Sequence, residues 1–219
     1  MIAEQLISND IIPLRTSDTG EEALGLMHDF NVRHLPIVNN EQLLGLVSED
    51  DILNFDISEP LGAFSLSIHR PCIRTEDHIY EVMRLMADYQ LTLIPVVDEN
   101  EHYVGLIRLE DLLMYFSRTA AFSEPGSIIV LEMAKRDYML SEIARLVEAE
   151  NATILSTFVT SNIDSQRIDV TIKVNIQHVQ PIIATFERFN YQVKASFHEV
   201  ESLEMLKDRY DSLINYLNI

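Results

Sequence analysis

Two short stretches hold the residue types best suited to chemistry. The first reads Gly45-Leu46-Val47-Ser48-Glu49-Asp50-Asp51 and the second Gly105-Leu106-Ile107-Arg108-Leu109-Glu110-Asp111. In the first, a glycine closes an apolar run, a hydroxyl follows three places later and a carboxylate three after that, just ahead of Ile52 and Leu53. Gly45 lets a ligand come close to the backbone. Ser48 falls at a helix start, where free N–H groups and the helix dipole favour a phosphate. Asp51, one turn on, can accept both hydrogens of a ribose diol, and hydrogen bonds to a carboxylate are the stronger kind. Ser-x-x-Asp before an apolar run is also close to a capping box, in which the two side chains serve only the helix end. The second stretch keeps Gly105 and Asp111 but carries Arg108 at the hydroxyl position. A guanidinium has no acceptor and cannot cap; it either grips a phosphate or extends into solvent.

The elements around these stretches are written twice. Leu26, Met27, Asp29 and Pro36 align with Leu85, Met86, Asp88 and Pro95 at a constant offset of 59 (85 − 26), which becomes 60 at Gly45 and Gly105 (105 − 45) through one extra loop residue. A two-copy repeat of this length predicts two small units packed on each other, not a solenoid. Each copy begins with an extended piece, at 11–14, which includes Ile12, and at 72–74. A polar group then precedes a helix: Asp18 or Thr19 before 21–30, and Asp77 before 79–89. Ala23, Leu26, Met27 and Phe30, and then Val82, Leu85, Met86 and Tyr89, recur at helical spacing. Strands follow at 34–38 and 43–47, and at 93–97 and 103–107, joined by turn-forming residues. A second helix starts at Ser48 or Arg108. The predicted order is β-α-β-β-α, twice.

Leu35-Pro36-Ile37-Val38 followed by Gly45-x-x-Ser48-x-x-Asp51 resembles a CBS motif, as does Ile94-Pro95-Val96-Val97 followed by Gly105 and Asp111. Two in tandem resemble a Bateman module over roughly residues 1–118. The resemblance implies pseudo-two-fold packing with a cleft on either side and an adenosine-containing ligand, with AMP, ADP, ATP and S-adenosylmethionine as possible effectors. The ligand-binding residues it implies are Gly45, Ser48, Asp51, Ile12, His34 and Pro36, and in the second copy Gly105, Arg108, Asp111 and Pro95. Asp50 and Glu110 are acidic where many nucleotide-binding relatives place a basic residue, so a neutral or singly phosphorylated adenosine suffers less repulsion than metal-free ATP. Arg33, His34, His69, Arg70 and Arg74 are the basic residues able to compensate.

After Glu124-Pro125-Gly126 the pattern changes to β-α-β-β-α-β, the order of a ferredoxin-like fold. Strand-like stretches cover 127–133 and 152–160. Residues 167–176 alternate strictly, with Ile168, Val170, Ile172, Val174 and Ile176 on one face. Leu140, Ile143, Ala144 and Val147, and then Val179, Ile182, Ile183 and Phe186, form helical stripes. The stretch 126–198 resembles an ACT domain. Amino-acid-binding relatives usually carry an Asp and a Gly before the first helix; here Met139 holds the glycine position and Asp137 is out of register by one. A final helix is predicted from Ser202, with Leu203, Leu206, Tyr210, Leu213 and Leu217 at 3-4-3-4 spacing.

The predicted class is therefore α/β (α+β). The predicted segments are a CBS repeat at 1–58, a second at 59–123, an ACT-like domain at 124–200 and a C-terminal helix at 201–219. The order CBS–CBS–ACT resembles the acetoin-utilisation accessory protein family. With 35 acidic and 16 basic side chains, the formal charge of −19 repels phosphate backbones and argues against nucleic acid and anionic membranes as partners. The lone Cys72 excludes an internal disulfide and fits a reducing compartment. The start shows no secretion signal, and no run of about eighteen apolar residues predicts a membrane span, so the expected location is the cytoplasm. The seven histidines show no pair at metal-ligand spacing, and the six glycines form no nucleotide-binding loop of the Walker or dinucleotide type. No catalytic residues and no metal site are expected. The sequence supports a regulatory protein sensing an adenosine ligand, a homodimeric interaction module with vestigial clefts, or an amino-acid sensor acting through the ACT-like half.

Overall fold

The computed structural model describes residues 2–66, 70–161 and 166–198. The predicted C-terminal helix and His69 lie outside the described residues. The chain divides into two compact units, Met1–Phe116 and Ser117–Ile219.

The first unit contains both copies of the repeat. Helix α1 (Gly20–Asp29) starts at a reciprocal cap: Thr19 Oγ1 accepts the Glu22 N–H, and the Glu22 carboxylate accepts the Thr19 N–H. It ends where Asn31 turns into the left-handed region at φ 55°, which asparagine tolerates well. Strands β1 (His34–Asn39) and β2 (Gln42–Ser48) form an antiparallel hairpin, and α2 (Glu49–Leu53) leaves it after Ser48. The second copy gives β3 (Ile73–Arg74), α3 (Ile79–Asp88), β4 (Leu93–Val97), β5 (Tyr103–Arg108) and α4 (Leu109–Ser117). Two expectations need adjusting. The extended piece at 11–14 shrinks to one parallel bridge between Leu14 and Ile37. The α3 cap is His78, whose Nδ1 accepts the Tyr80 N–H, while Asp77 instead accepts the Arg74 N–H. Helix α2 has five residues against nine in α4.

The two copies meet through equivalent residues. Gln42 bridges its counterpart His102, and the Arg33 N–H donates to Oγ1 of its counterpart Thr92 at 2.9 Å. Equivalent residues touch each other only at a two-fold axis, so these contacts mark the pseudo-axis. One apolar core spans both copies, including Leu35, Leu46 and Ile52 from the first and Leu93, Leu106 and Leu112 from the second. The segment before the first copy crosses over to the second. The Ser8 N–H donates to Leu106 O at 2.8 Å, and the Leu106 N–H returns to Ser8 O at 3.1 Å.

In the second unit, α5 (Ala120–Ser123) precedes β6 (Ser127–Ala134), α6 (Leu140–Glu148), β7 (Ile154–Ser161), β8 (Arg167–Val174), α7 (Gln180–Arg188) and β9 (Gln192–His198). The four strands form one antiparallel sheet in the order β7-β8-β6-β9. This is the β-α-β-β-α-β order read from the sequence. Ile168, Val170, Ile172 and Val174 face a core shared with Ile143, Val147, Ile182 and Phe186. The opposite face of β8 is not uniformly wet, since Lys173 is buried too.

Candidate functional site

The first corner is built by β1, β2 and the start of α2. His34 and Ser48 stand directly opposite each other in the hairpin, and cross-strand partners share a face. Ser48 ends β2 with extended backbone and caps α2: its Oγ accepts the Asp51 N–H at 3.0 Å, while its own N–H and O–H donate to Asp51 Oδ2 at 3.0 and 2.7 Å. The capping box read as the alternative to ligand binding is thus present, and it holds the hydroxyl and carboxylate in a fixed relation. His34, Ser48 and Asp51 are each less than 8% exposed, and among the described residues of the first unit they are the buried polar side chains. Polar groups withdrawn from water cost free energy unless paired, and three converge on one corner.

His34 ties the corner to the other copy. The Thr92 N–H donates to its Nδ1 at 3.3 Å, and Thr92 Oγ1, which already accepts the Arg33 N–H, lies 3.1 Å from the same nitrogen. Nδ1 is therefore an acceptor and the neutral ring carries its proton on Nε2. Burial, with a smaller contribution from Arg33, lowers the His34 pKa below its ordinary value, against the opposing pull of Asp51 and Asp50. The folded state favours neutral imidazole, so His34 contributes stability that is complete above the unfolded pKa of about 6.5 and is lost as pH falls through its lower folded value. Melting temperature should fall more steeply from pH 7 to 5.5 in the natural protein than in His34→Leu, which installs the leucine found at the equivalent Leu93. Parallel melting curves against pH would rule this out.

The remaining expected site residues are placed less closely. Pro36 is buried on β1, two residues from His34, and its carbonyl accepts the Leu14 N–H at 2.9 Å. Ile12 is 75% exposed on the segment leading to Leu14. Gly45 pairs with Ile37 on the opposite face of the hairpin from Ser48. A Cβ there would lie 2.6 Å from Leu66 Cδ1, so the close approach that its sequence position suggested is made by the chain's own leucine. Arg33 faces Glu49 at 3.8 Å, and Arg70 and Arg74 both face Glu101, at 3.5 and 3.9 Å. Arg33 thus stays beside the first corner, paired with the first turn of α2, whereas Arg70 and Arg74 pair within the second copy. Cys72 is half-buried; burial raises its pKa and outweighs the opposing effect of Arg70.

The second corner is different. Pro95 and Gly105 repeat the positions of Pro36 and Gly45 in the hairpin of β4 and β5. Arg108 neither reaches for open space nor extends into solvent. Its Nε and Nη2 donate to the two oxygens of Asp111, both at 2.9 Å, and Nη1 lies 3.2 Å from Glu110. Gly105 is covered by Ile7, Ser8 and Asn9 of the crossing segment.

Sequence reasoning missed Thr92 and this crossing segment. Thr92 carried one available signal: it stands at the repeat position of Arg33, and residues at that position meet across the pseudo-axis. Residues 2–9 have no periodicity that would have exposed their path. Among the described residues, no group of three or more His, Cys, Asp or Glu side chains could hold a metal ion, and no helix is long and apolar enough to cross a membrane.

Comparison with known proteins fits the repeat. The chain is 23% identical over 149 residues to inosine-5'-monophosphate dehydrogenase of Methanocaldococcus jannaschii, covering 68% of this chain and 30% of that enzyme. It is 26% identical over 118 residues to homoserine O-acetyltransferase of Methanococcus vannielii, covering 51% of this chain and 24% of the enzyme. The chain thus spans about a quarter to a third of the length of these relatives. The crystal structure of a CBS domain pair/ACT domain protein from Thermotoga maritima superposes with a TM-score of 0.48 at 23% identity, over 53% of this chain and 96% of the other. The family model for the CBS domain matches residues 3–58 and 65–118. Since these two stretches make up half of the chain and coincide with the two copies of the repeat, the protein belongs to the CBS domain family.

Proposed function

We propose that this is a non-catalytic regulatory protein that binds an adenosine-containing ligand through its CBS pair and signals through its second unit, read as an ACT-like domain. The observation that carries the reading is the buried trio His34, Ser48 and Asp51. Asp51 supplies acceptors for a ribose diol, Ser48 fixes its orientation, and the exposed, apolar Ile12 offers surface to a base. Glu49, Asp50 and Asp51 all lie in the first turn of α2, so AMP or S-adenosylmethionine should bind better than ADP or ATP. The second unit's β-α-β-β-α-β order supports the ACT-like reading. Its Lys135–Asp137 turn ends on Met139, an extended residue whose side chain does not cap α6. That offers less to an amino acid than a glycine turn would, so the second unit acts as the output half. Ligand binding regulates by shifting the population between two packings of the repeats, which requires different affinity for the two.

A thermal-shift series with AMP, ADP, ATP and S-adenosylmethionine tests this. A ligand at about 100 times its Kd stabilises by roughly 2.7 kcal/mol. Asp51→Ala should abolish the response and lower stability by about 1 kcal/mol, because the Ser48 N–H and O–H lose their carboxylate acceptor in the capping box. Silence to every adenosine compound at millimolar concentration would refute the proposal. It would favour a homodimeric interaction module instead, a reading supported by one feature: Met83, Leu109 and Leu113 are exposed along a groove of about 530 Å3 between α3 and α4.

A further inference from the structure

We propose that the two corners are not two binding sites: the second is occupied by the chain's own Arg108, and the protein takes one nucleoside, at the first corner. This rests on the adenosine reading of Asp51 and sets its stoichiometry. The two corners present the same carboxylate to different partners. At the first, the Ser48 hydroxyl and N–H meet Oδ2 of Asp51. At the second, a planar guanidinium takes both oxygens of Asp111, each at 2.9 Å. A ribose diol binds a carboxylate through the same two oxygens, so the guanidinium stands where the diol would. The exchange is unfavourable, because two bonds in which donor and acceptor are both charged are replaced by hydroxyl bonds in which only the carboxylate is. The Arg108 and Asp111 side chains are only 20% and 21% exposed, which shelters the pair from water and salt. Glu110 holds a third guanidinium nitrogen at 3.2 Å, and Asp10 of the crossing segment adds its charge to the same field. The segment that carries Asp10 also covers Gly105. The position of His34 is filled by Leu93, so the second corner lacks the polar residue that joins the first corner to Thr92.

Arg108→Ser is the direct test, because it writes the Ser-x-x-Asp box of the first corner into the second and supplies a cap where the arginine could not. Arg108→Thr offers the same hydroxyl if the serine variant fails to fold. Equilibrium dialysis of the full chain with AMP and with adenosine should give one site per chain in the natural protein, lost in Asp51→Ala. Arg108→Ser should bind two, falling back to one when either Asp51→Ala or Asp111→Ala is added. Two sites in the natural protein, or one in both Arg108 variants, would overturn the inference. If the natural protein binds nothing and Arg108→Ser binds one nucleoside through Asp111, the self-occupied corner stands and the first-corner reading fails. If no variant binds, both fail.

Discussion

Gly105→Ala should destabilise the protein by about 2–4 kcal/mol, several times the effect of Gly45→Ala, although the two glycines hold the same place in the repeat. Gly105 has φ +149°, a conformation that side chains rarely adopt, and a Cβ there would lie 2.9 Å from Ser8 O and from Asn9 Oδ1, and 2.5 Å from Ile7 Cγ2. Backbone strain of this kind costs about 1–3 kcal/mol. The crossing segment cannot easily move aside, because Ser8 and Leu106 exchange both backbone hydrogen bonds. At Gly45 the close neighbour is the methyl tip of Leu66, which another rotamer can withdraw, so Gly45→Ala should cost about 1 kcal/mol or less. Urea unfolding of the two variants measures the difference. Equal effects would mean that the segment before the first copy is not locked onto the second.

This asymmetry marks the limit of what the sequence made visible. The repeat offset carried the hairpins, because His34, Pro36, Gly45 and their counterparts must keep register once one face is buried. Strict alternation along β8 carried the second unit, and Asn31, Asn151 and Asn190, all at positive φ, end their helices where the periodic stripes stop. What stayed hidden was non-local. Ser8 meets Leu106 and His34 meets Thr92 only because the pseudo-axis brings them together. The candidate site was half legible for the same reason. Ser48 and Asp51 are three residues apart, and local geometry joins them. The hold of Arg108 on Asp111 is equally local, but a guanidinium has too many orientations for spacing to select one. Strand parity turns Lys173 away from the apolar stripe of β8, yet it is buried, because parity fixes which way a side chain points and not what lies over it.

Phe186→Ala should be the most damaging single truncation in the second unit, at about 3–5 kcal/mol. Phe186 is fully buried on α7 and meets the Tyr191 ring edge-on at 5.7 Å between centroids, while its carbonyl accepts the Tyr191 N–H at 2.9 Å. Removing the ring leaves a cavity in the core that also holds Ile129, Val170 and Ile172 of the central strands, and a close-packed core closes such a gap only in part. Phe189, three residues on, provides the control. It is 43% exposed and its ring lies under Arg145 and Arg188 at 5.4 and 5.7 Å, contacts worth about 0.5–1 kcal/mol at an exposed site. Amide exchange should therefore lose protection along β6 and β8 in Phe186→Ala and change little in Phe189→Ala. A Phe186→Ala loss below about 1.5 kcal/mol would mean that the core relaxes around the gap. The same variant separates input from output. Nucleoside binding that depends on Asp51 should persist, while any ligand-induced change in exchange along β6 and β8 disappears. That is the pattern required if the first unit senses and the second reports.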